Sequence, residues 1–214
     1  MDLQDAVDNF RRAITHCDNL VAVHRGYGTG SVGRRTEEVS LDRAVVVVAV
    51  AAWQAAVQDL TSATLDIAAP PALPSLARAT YEVSAGYVRK GIRDFATPNS
   101  HNCRQLIQGA GFDPWTTWTW SNAGGRGVGM VEVRPHEAAE RLDHWLRVRH
   151  AIAHGHAELP RVRVLQSVRE AAPSWAGVPT LRLVDAEQCM SFVRRMVRLT
   201  ANGLATHLGV AATT

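Results

Sequence analysis

Residues 41–60 read LDRAVVVVAVAAWQAAVQDL, and the fold turns on whether this stretch is a strand or a helix. The run Val45–Val48 favours a strand, because side chains branched at Cβ pack well on a pleated surface. A strand buried on both faces spans about four to eight residues. Here the apolar character continues through Trp53, Val57 and Leu60 to Ile67, so length decides for a helix. Ser40 is a good N-cap and Asp42 a favourable first-turn acid, which sets the predicted helix at about residues 40–67. It is apolar nearly all round and is therefore expected at the centre of the fold. Its most apolar part, residues 44–57, is shorter than the roughly 20 residues of a membrane span. The expectation is a core helix of a soluble protein.

On the N-terminal side, Leu3, Val7, Phe10, Ile14, Cys17, Leu20 and Val21 recur at helical spacing and predict a helix over about residues 3–25. The connection that follows contains Gly28, Gly30 and Gly33 in a GxGxxG pattern. That pattern holds a dinucleotide only between a strand and a helix. Here a helix precedes it, so it reads as a flexible connection. On the C-terminal side, AAPPALPS (68–75) breaks the chain, and Ser75 caps a helix over about residues 76–95. A short helix is expected at about 101–109. GFDPWTTWTWSNAGGRGVG (111–129) reads as a loop whose Trp115, Trp118 and Trp120 plug the core, with base stacking as the alternative. Pro135 to Gly155 reads as a helix with a first-turn proline and a glycine C-cap. RVRVLQSV and TLRLV, flanking a Pro/Gly/Trp turn, predict a small β-hairpin near 161–184. Asp185 with Gln188 reads as a capping box for a last helix over about 186–207. The whole is one all-α domain, 1–214: a helical bundle of five or six helices with that hairpin appended.

Composition limits the function classes. The chain has 46% hydrophobic and 20% charged residues, an ordinary globular balance. Cys17, Cys103 and Cys189 are odd in number and far apart, which suits reduced thiols and a cytoplasmic location rather than a disulfide framework. The start, MDLQDAVDNF, is acidic and polar, unlike a signal peptide. Lys90 is the only lysine, and the pI of about 9.1 favours an anionic partner if it reflects more than an arginine-rich codon usage.

The chemistry concentrates in LRVRHAIAHGHAEL, residues 146–159. On a helical wheel Ala138, Leu142, Trp145, Ile152 and Ala153 form the apolar stripe, with Leu146 at its edge and Arg149 in its middle. A guanidinium buried without a partner costs several kcal/mol. Arg149 therefore either meets a carboxylate or lines a wet cleft that an anion or a second subunit completes. His154 lies about 140° round the wheel from Arg149, so the two converge only if the helix end is distorted or two copies build one groove. A helix C-terminus favours an imidazolium and Arg149 opposes it, which leaves His154 suited to acid–base work. Two other readings stand beside this one. His150 and His154 have the i, i+4 spacing of metal ligands, with His156, His144 and Asp143 as further candidates, although Ala151 rules out an HExxH motif and Arg149 repels a cation. The cluster is otherwise a solvated helix end, which leaves Arg149 unexplained.

This stretch resembles the signature of HEPN domains (higher eukaryotes and prokaryotes nucleotide-binding): an arginine, four to six residues, then a histidine. Here four residues separate Arg149 from His154, a polar His150 follows the arginine, and the ending Ile152–Gly155 reads IAHG. LDRAVVVVAVAAWQAAVQDL is similar to the second helix of the RiboL-PSP-type branch, which usually ends in an aromatic–Glu pair; here the pair is Trp53–Gln54, so that carboxylate is missing. The likeness covers the helical layout from about Ser40 to His207. It implies a metal-independent endoribonuclease without cofactor, acting as a toxin or phage-defence effector. It further implies a homodimer with the 135–155 helix near the twofold axis, RNA as substrate, and an antitoxin or defence-system partner. Arg149 and His154 would be the catalytic residues, with His150, His156 and Arg147 as auxiliary or RNA-positioning groups. The same likeness admits a non-catalytic module that binds nucleotide, RNA or a partner protein.

Overall fold

The computed structural model describes residues 1–27, 35–123, 130–172 and 174–213. Two long helices come first, α1 (Leu3–Tyr27) and α2 (Arg35–Ala68), then α3 (Leu76–Arg93) and α4 (Ser100–Gly109). A 3-10 turn (Pro114–Thr117) leads into a hairpin of β1 (Trp120–Ala123) and β2 (Met130–Val133). The chain closes with α5 (Pro135–Ala153), the single turn α6 (Gln166–Arg169) and α7 (Leu183–Leu208). This is an all-α bundle with one small antiparallel hairpin. Six of the described helices have ten residues or more, and α6 is the addition to the expected number.

The bundle is organised around α2. Val46, Ala49, Trp53, Val57, Leu60 and Ala63 are each 0% exposed. α1, α5 and α7 pack on it, and α3 and α4 close its second half. The helix starts at Arg35 rather than Ser40: Glu37 and Glu38 occupy the first turn, where the helix dipole favours acids, and the Ser40 hydroxyl donates back to the Thr36 carbonyl at 2.8 Å. Thr36–Ala68 is by length and composition sufficient to cross a membrane, so the brevity of residues 44–57 does not decide the matter. What marks α2 as a core helix is that 56% of its most apolar window lies buried in the bundle.

Two glutamines tie α3 to this core. Gln54 donates from Nε2 to the Phe95 carbonyl and Gln58 from Nε2 to the Ile92 carbonyl, both at 2.7 Å. These acceptors lie at and just past the end of α3, where the Ile92 carbonyl otherwise takes a long 3.4 Å bond from the Phe95 N–H. A carboxylate in place of Gln54 has no proton to donate. Gln54 is thus an amide with a structural task.

The tryptophan segment is largely the expected plug. Trp118 is fully buried, meets Trp53 edge-on at 6.5 Å between ring centroids, and donates from Nε1 to Thr200 Oγ at 3.0 Å. Its continuation is not loop, however, but the hairpin, with Trp120 opposite Val133 and Ala123 opposite Met130.

The hairpin expected near 161–184 does not form. Val162 and Val164 are buried and Arg161 and Arg163 exposed, the alternation of a strand, but the backbone turns on itself through Leu165 N to Val162 O at 3.1 Å. Side chains do the closing that a ladder would have done. Arg161 donates to the carbonyls of Trp175 and Gly177, and the Ser167 hydroxyl bonds both backbone groups of Thr180. The last helix also starts earlier than expected. Asp185 is its third residue, not its cap, and accepts from the N–H of Arg182 at 3.0 Å and of Gln166 at 2.7 Å, serving the starts of α7 and α6 together. The GxGxxG glycines, Gly28, Gly30 and Gly33, lie outside the described residues.

Gln54→Glu is expected to lower stability by about 1 kcal/mol at pH 7, since it leaves the carbonyl of half-buried Phe95 without its donor and beside a negative charge. The deficit against wild type should shrink at acid pH as the new carboxyl gains a proton. Urea unfolding at both pH values checks this, and an unchanged midpoint at pH 7 would show that the amide is dispensable.

Candidate functional site

α5 carries the site. Its start is held by Glu137, whose carboxylate accepts the Arg134 N–H at 2.8 Å and is kept below its usual pKa by that bond. The buried residues of α5 are Ala138, Ala139, Leu142, Trp145, Leu146, Val148 and Ala151. This corrects the stripe expected from the wheel. After Trp145 the buried positions advance in steps of three, so against a period of 3.6 the stripe drifts round the helix. Val148 and Ala151 turn inward, Ala153 is exposed, and Ile152 and Arg149 are left half-buried at the edge.

Arg149 accordingly straddles core and solvent. Its Nε is buried and has no acceptor, and the guanidinium forms no ion pair among the described residues. Of the two outcomes open to a misplaced arginine, the carboxylate partner is not the one realised.

The helix end next to it is regular. The Gly155 N–H bonds the Ile152 carbonyl at 3.1 Å and the His156 N–H bonds the Ala151 carbonyl at 2.9 Å, the paired closure of a Schellman motif. Gly155 sits at φ +65°, a left-handed conformation that glycine adopts without strain. His154 is the C-cap residue and is exposed. The distorted end that would bring His154 round to Arg149 is absent, and within one chain the two stay on different sides of α5.

His150 lies between them. Its ring centroid is 6.1 Å from that of His154, and His154 is in turn 6.1 Å from His156, with those two rings inclined by 30°. The three imidazoles form a row along the exposed helix end. His150 is the most enclosed of them: burial, then Arg149 and then His154, push its pKa below the ordinary value. Arg147 is exposed and, at i, i+3 and i+7, shares the helix face of His150 and His154.

The other two metal candidates do not join this row. Asp143 accepts from the N–H and hydroxyl of Ser100, at 2.7 and 2.8 Å, and so holds the start of α4. His144 faces Glu140 at 3.7 Å. Burial lowers its pKa and Glu140 works in the opposite direction. No group of three or more His, Cys, Asp or Glu side chains among the described residues is arranged to hold a metal ion.

His144 opens instead onto a feature the sequence reading did not anticipate. A groove of about 1200 Å³ runs between β1, α5, α7 and the 163–169 segment, and Arg141, Arg163, Arg169 and Arg195 line it together with Trp120. Arg141 and His144, three apart on α5, and the cluster Arg194, Arg195 and Arg198 on α7 were the available signals. Neither shows, without the fold, that α5 and α7 face one another across Trp120.

In an NMR titration of the imidazoles, His150 is expected to titrate below the ordinary value of about 6.5. Because the folded state holds this proton less tightly than the unfolded chain does, His150 adds stability above about pH 6.5 that is lost as the pH falls through its folded value. Arg149→Gln should move the His150 titration upward. A His150 that titrates at the ordinary value and ignores that change would contradict the described packing.

Comparison of the chain with family models, curated proteins and solved structures yields no match.

Proposed function

We propose that this chain is a metal-independent endoribonuclease of the HEPN type, acting in the cytoplasm as a toxin or phage-defence effector. The observation that carries the reading is Arg149, a half-buried guanidinium with no ion-pair partner among the described residues, set beside half-buried His150 and the exposed His154 and His156. Such an end attracts an anion, and a guanidinium matches the paired oxygens of a phosphate.

In the reaction, the 2′-hydroxyl of RNA attacks the adjacent phosphorus and the 5′-oxygen of the next nucleotide leaves. One group takes the 2′ proton and one returns a proton to the leaving oxygen. The products are a 2′,3′-cyclic phosphate and a 5′-hydroxyl. His154 is the general base or acid, a role worth about 10² to 10⁴-fold in rate. Arg149 holds the phosphate and stabilises the charge that grows on its oxygens. His150 sits close enough to assist, and its lowered pKa favours the neutral ring that accepts a proton. His156 and Arg147 position the RNA. No metal is required, because the nucleophile belongs to the substrate, and DNA without the 2′-hydroxyl is not cleaved.

Arg149 and His154 diverge within one chain, which is why the proposal includes a homodimer. A twofold axis close to residues 135–155 sets the Arg149 of one copy near the histidines of the other. An antitoxin or other defence-system protein would restrain such an enzyme. The same divergence, together with Gln54 in place of an acid, favours the second reading: a HEPN module that binds RNA, nucleotide or a protein without turnover.

Purified protein incubated with total RNA in EDTA separates these. The proposal expects cleavage, and a loss of about 100-fold or more in Arg149→Ala and in His154→Ala while circular dichroism and oligomeric state persist. Undiminished cleavage in both variants would refute the assignment. RNA binding by wild type without cleavage would favour the second reading.

A further inference from the structure

We propose that the groove between α5 and α7 is a binding site for single-stranded nucleic acid, distinct from Arg149 and His154. That the strand is RNA rests on the function proposed above; the affinity of the groove for a single strand does not.

The case begins with charge. Arg141, Arg163, Arg169 and Arg195 face the groove against two carboxylates, Glu137 and Glu140. Glu137 accepts the Arg134 N–H and feels the charge of Arg141, and Glu140 lies 3.7 Å from His144, so four guanidiniums face two carboxylates. Arg141 and Arg163 are exposed; Arg141 lies near enough to Glu137 to add to the Arg134 N–H in lowering the pKa of that carboxyl, and Arg163 makes no side-chain hydrogen bond or ion pair among the described residues. Arg195 is positioned by Asn122, to whose Oδ1 it donates at 2.6 Å, and Arg169 is held toward the carbonyls of Arg163 and Val164.

The second element is an aromatic platform. Trp120 is half-buried against Phe192, 6.2 Å between ring centroids. The guanidinium carbons of Arg141 and Arg195 lie 5.9 and 5.3 Å from the Trp120 ring centroid. A tryptophan among guanidiniums offers stacking for a base and bidentate partners for its phosphates, the combination that holds single strands irrespective of sequence.

The third is size and continuity. At about 1200 Å³ the groove exceeds the roughly 300–1,000 Å³ of small-molecule pockets. Ser191 and Arg195 also line a neighbouring hollow of about 410 Å³ between α1 and α7, where Arg198 adds charge and Arg11 is paired with Asp8 at 3.0 Å. A small anion would use one or two of these groups. A polyanion uses the track.

The test is binding, measured so that cleavage plays no part. His154→Ala protein is titrated into a fluorescein-labelled 12-nucleotide single-stranded RNA, read by anisotropy from 50 to 200 mM salt. The proposal expects binding, tighter than to a 12-base-pair duplex. Arg141→Gln/Arg163→Gln should weaken it about tenfold at low salt and reduce the slope of log Kd against log salt by about 1.4, since each phosphate contact on a single strand contributes about 0.7. Trp120→Leu should weaken it on the order of tenfold with the slope unchanged. An affinity and slope unaltered in the folded arginine pair would overturn the proposal. So would equal affinity for the duplex, or displacement of the RNA by polyglutamate as effectively as by unlabelled RNA at equal charge. Binding that follows these expectations in a protein whose wild type does not cleave would leave the groove standing and remove the ribonuclease reading.

Discussion

A long apolar helix must be covered by its neighbours, and α2 imposes that requirement on the rest of the chain. One side of it, Val45, Val46, Ala49, Val50, Trp53, Val57 and Leu60, is buried where α1, α5 and α7 pack on it, while Ala51 and Ala55 stay exposed. At about 25 cal/mol per Å² of apolar surface removed from water, this burial is the main favourable contribution to the fold. The covering helices have little freedom in which side they present. α5 turns Leu142, Trp145, Val148 and Ala151 inward, which leaves Arg149 on the boundary and His150, His154 and His156 at its outer end. The chemistry of the site is thus a consequence of how α5 seats on its neighbours.

The polar residues divide according to whether the fold consumes them. Asp143, Glu137, Asp185, Gln54 and Gln58 all satisfy backbone groups at helix ends. Helix termini leave several such groups without internal partners, and a buried orphan is costly, so these side chains are committed. Arg149, Arg141 and Arg163 are not. A fold that satisfies these helix ends, with no salt bridge to these cations among the described residues, concentrates positive charge at the end of α5 and along the α5–α7 groove. The two places share a helix but not a face.

The long helices were legible in the sequence because length and periodicity carry over many residues and local accidents average out. The 41–60 run shows this: its valines are ambiguous, its continuation is not. Short elements lack that averaging. Val162 and Val164 alternate with arginines as a strand would, yet here arginine and serine side chains hold the backbone partners and the strand is unpaired. Conversely, β1 is hidden among tryptophans whose more evident property is bulk. At the candidate site the residues could be named, but their geometry could not. A wheel assumes a stripe of fixed azimuth, and the drift after Trp145 moved Arg149 from its centre to its edge. The groove was invisible because its arginines come from α5, α7 and an irregular segment that only the tertiary fold assembles.

The claim that Arg149 and His154 promote attack by the RNA's own 2′-hydroxyl is tested most directly by the ends that cleavage leaves. A defined RNA cut by the wild-type protein in EDTA should yield a 2′,3′-cyclic phosphate on one fragment and a 5′-hydroxyl on the other, and a single 2′-deoxy substitution at the scissile position should abolish the cut. Fragments bearing a 3′-hydroxyl and a 5′-phosphate, or cleavage that proceeds through the deoxy position, would mean that water rather than the 2′-hydroxyl attacks, and would contradict the account.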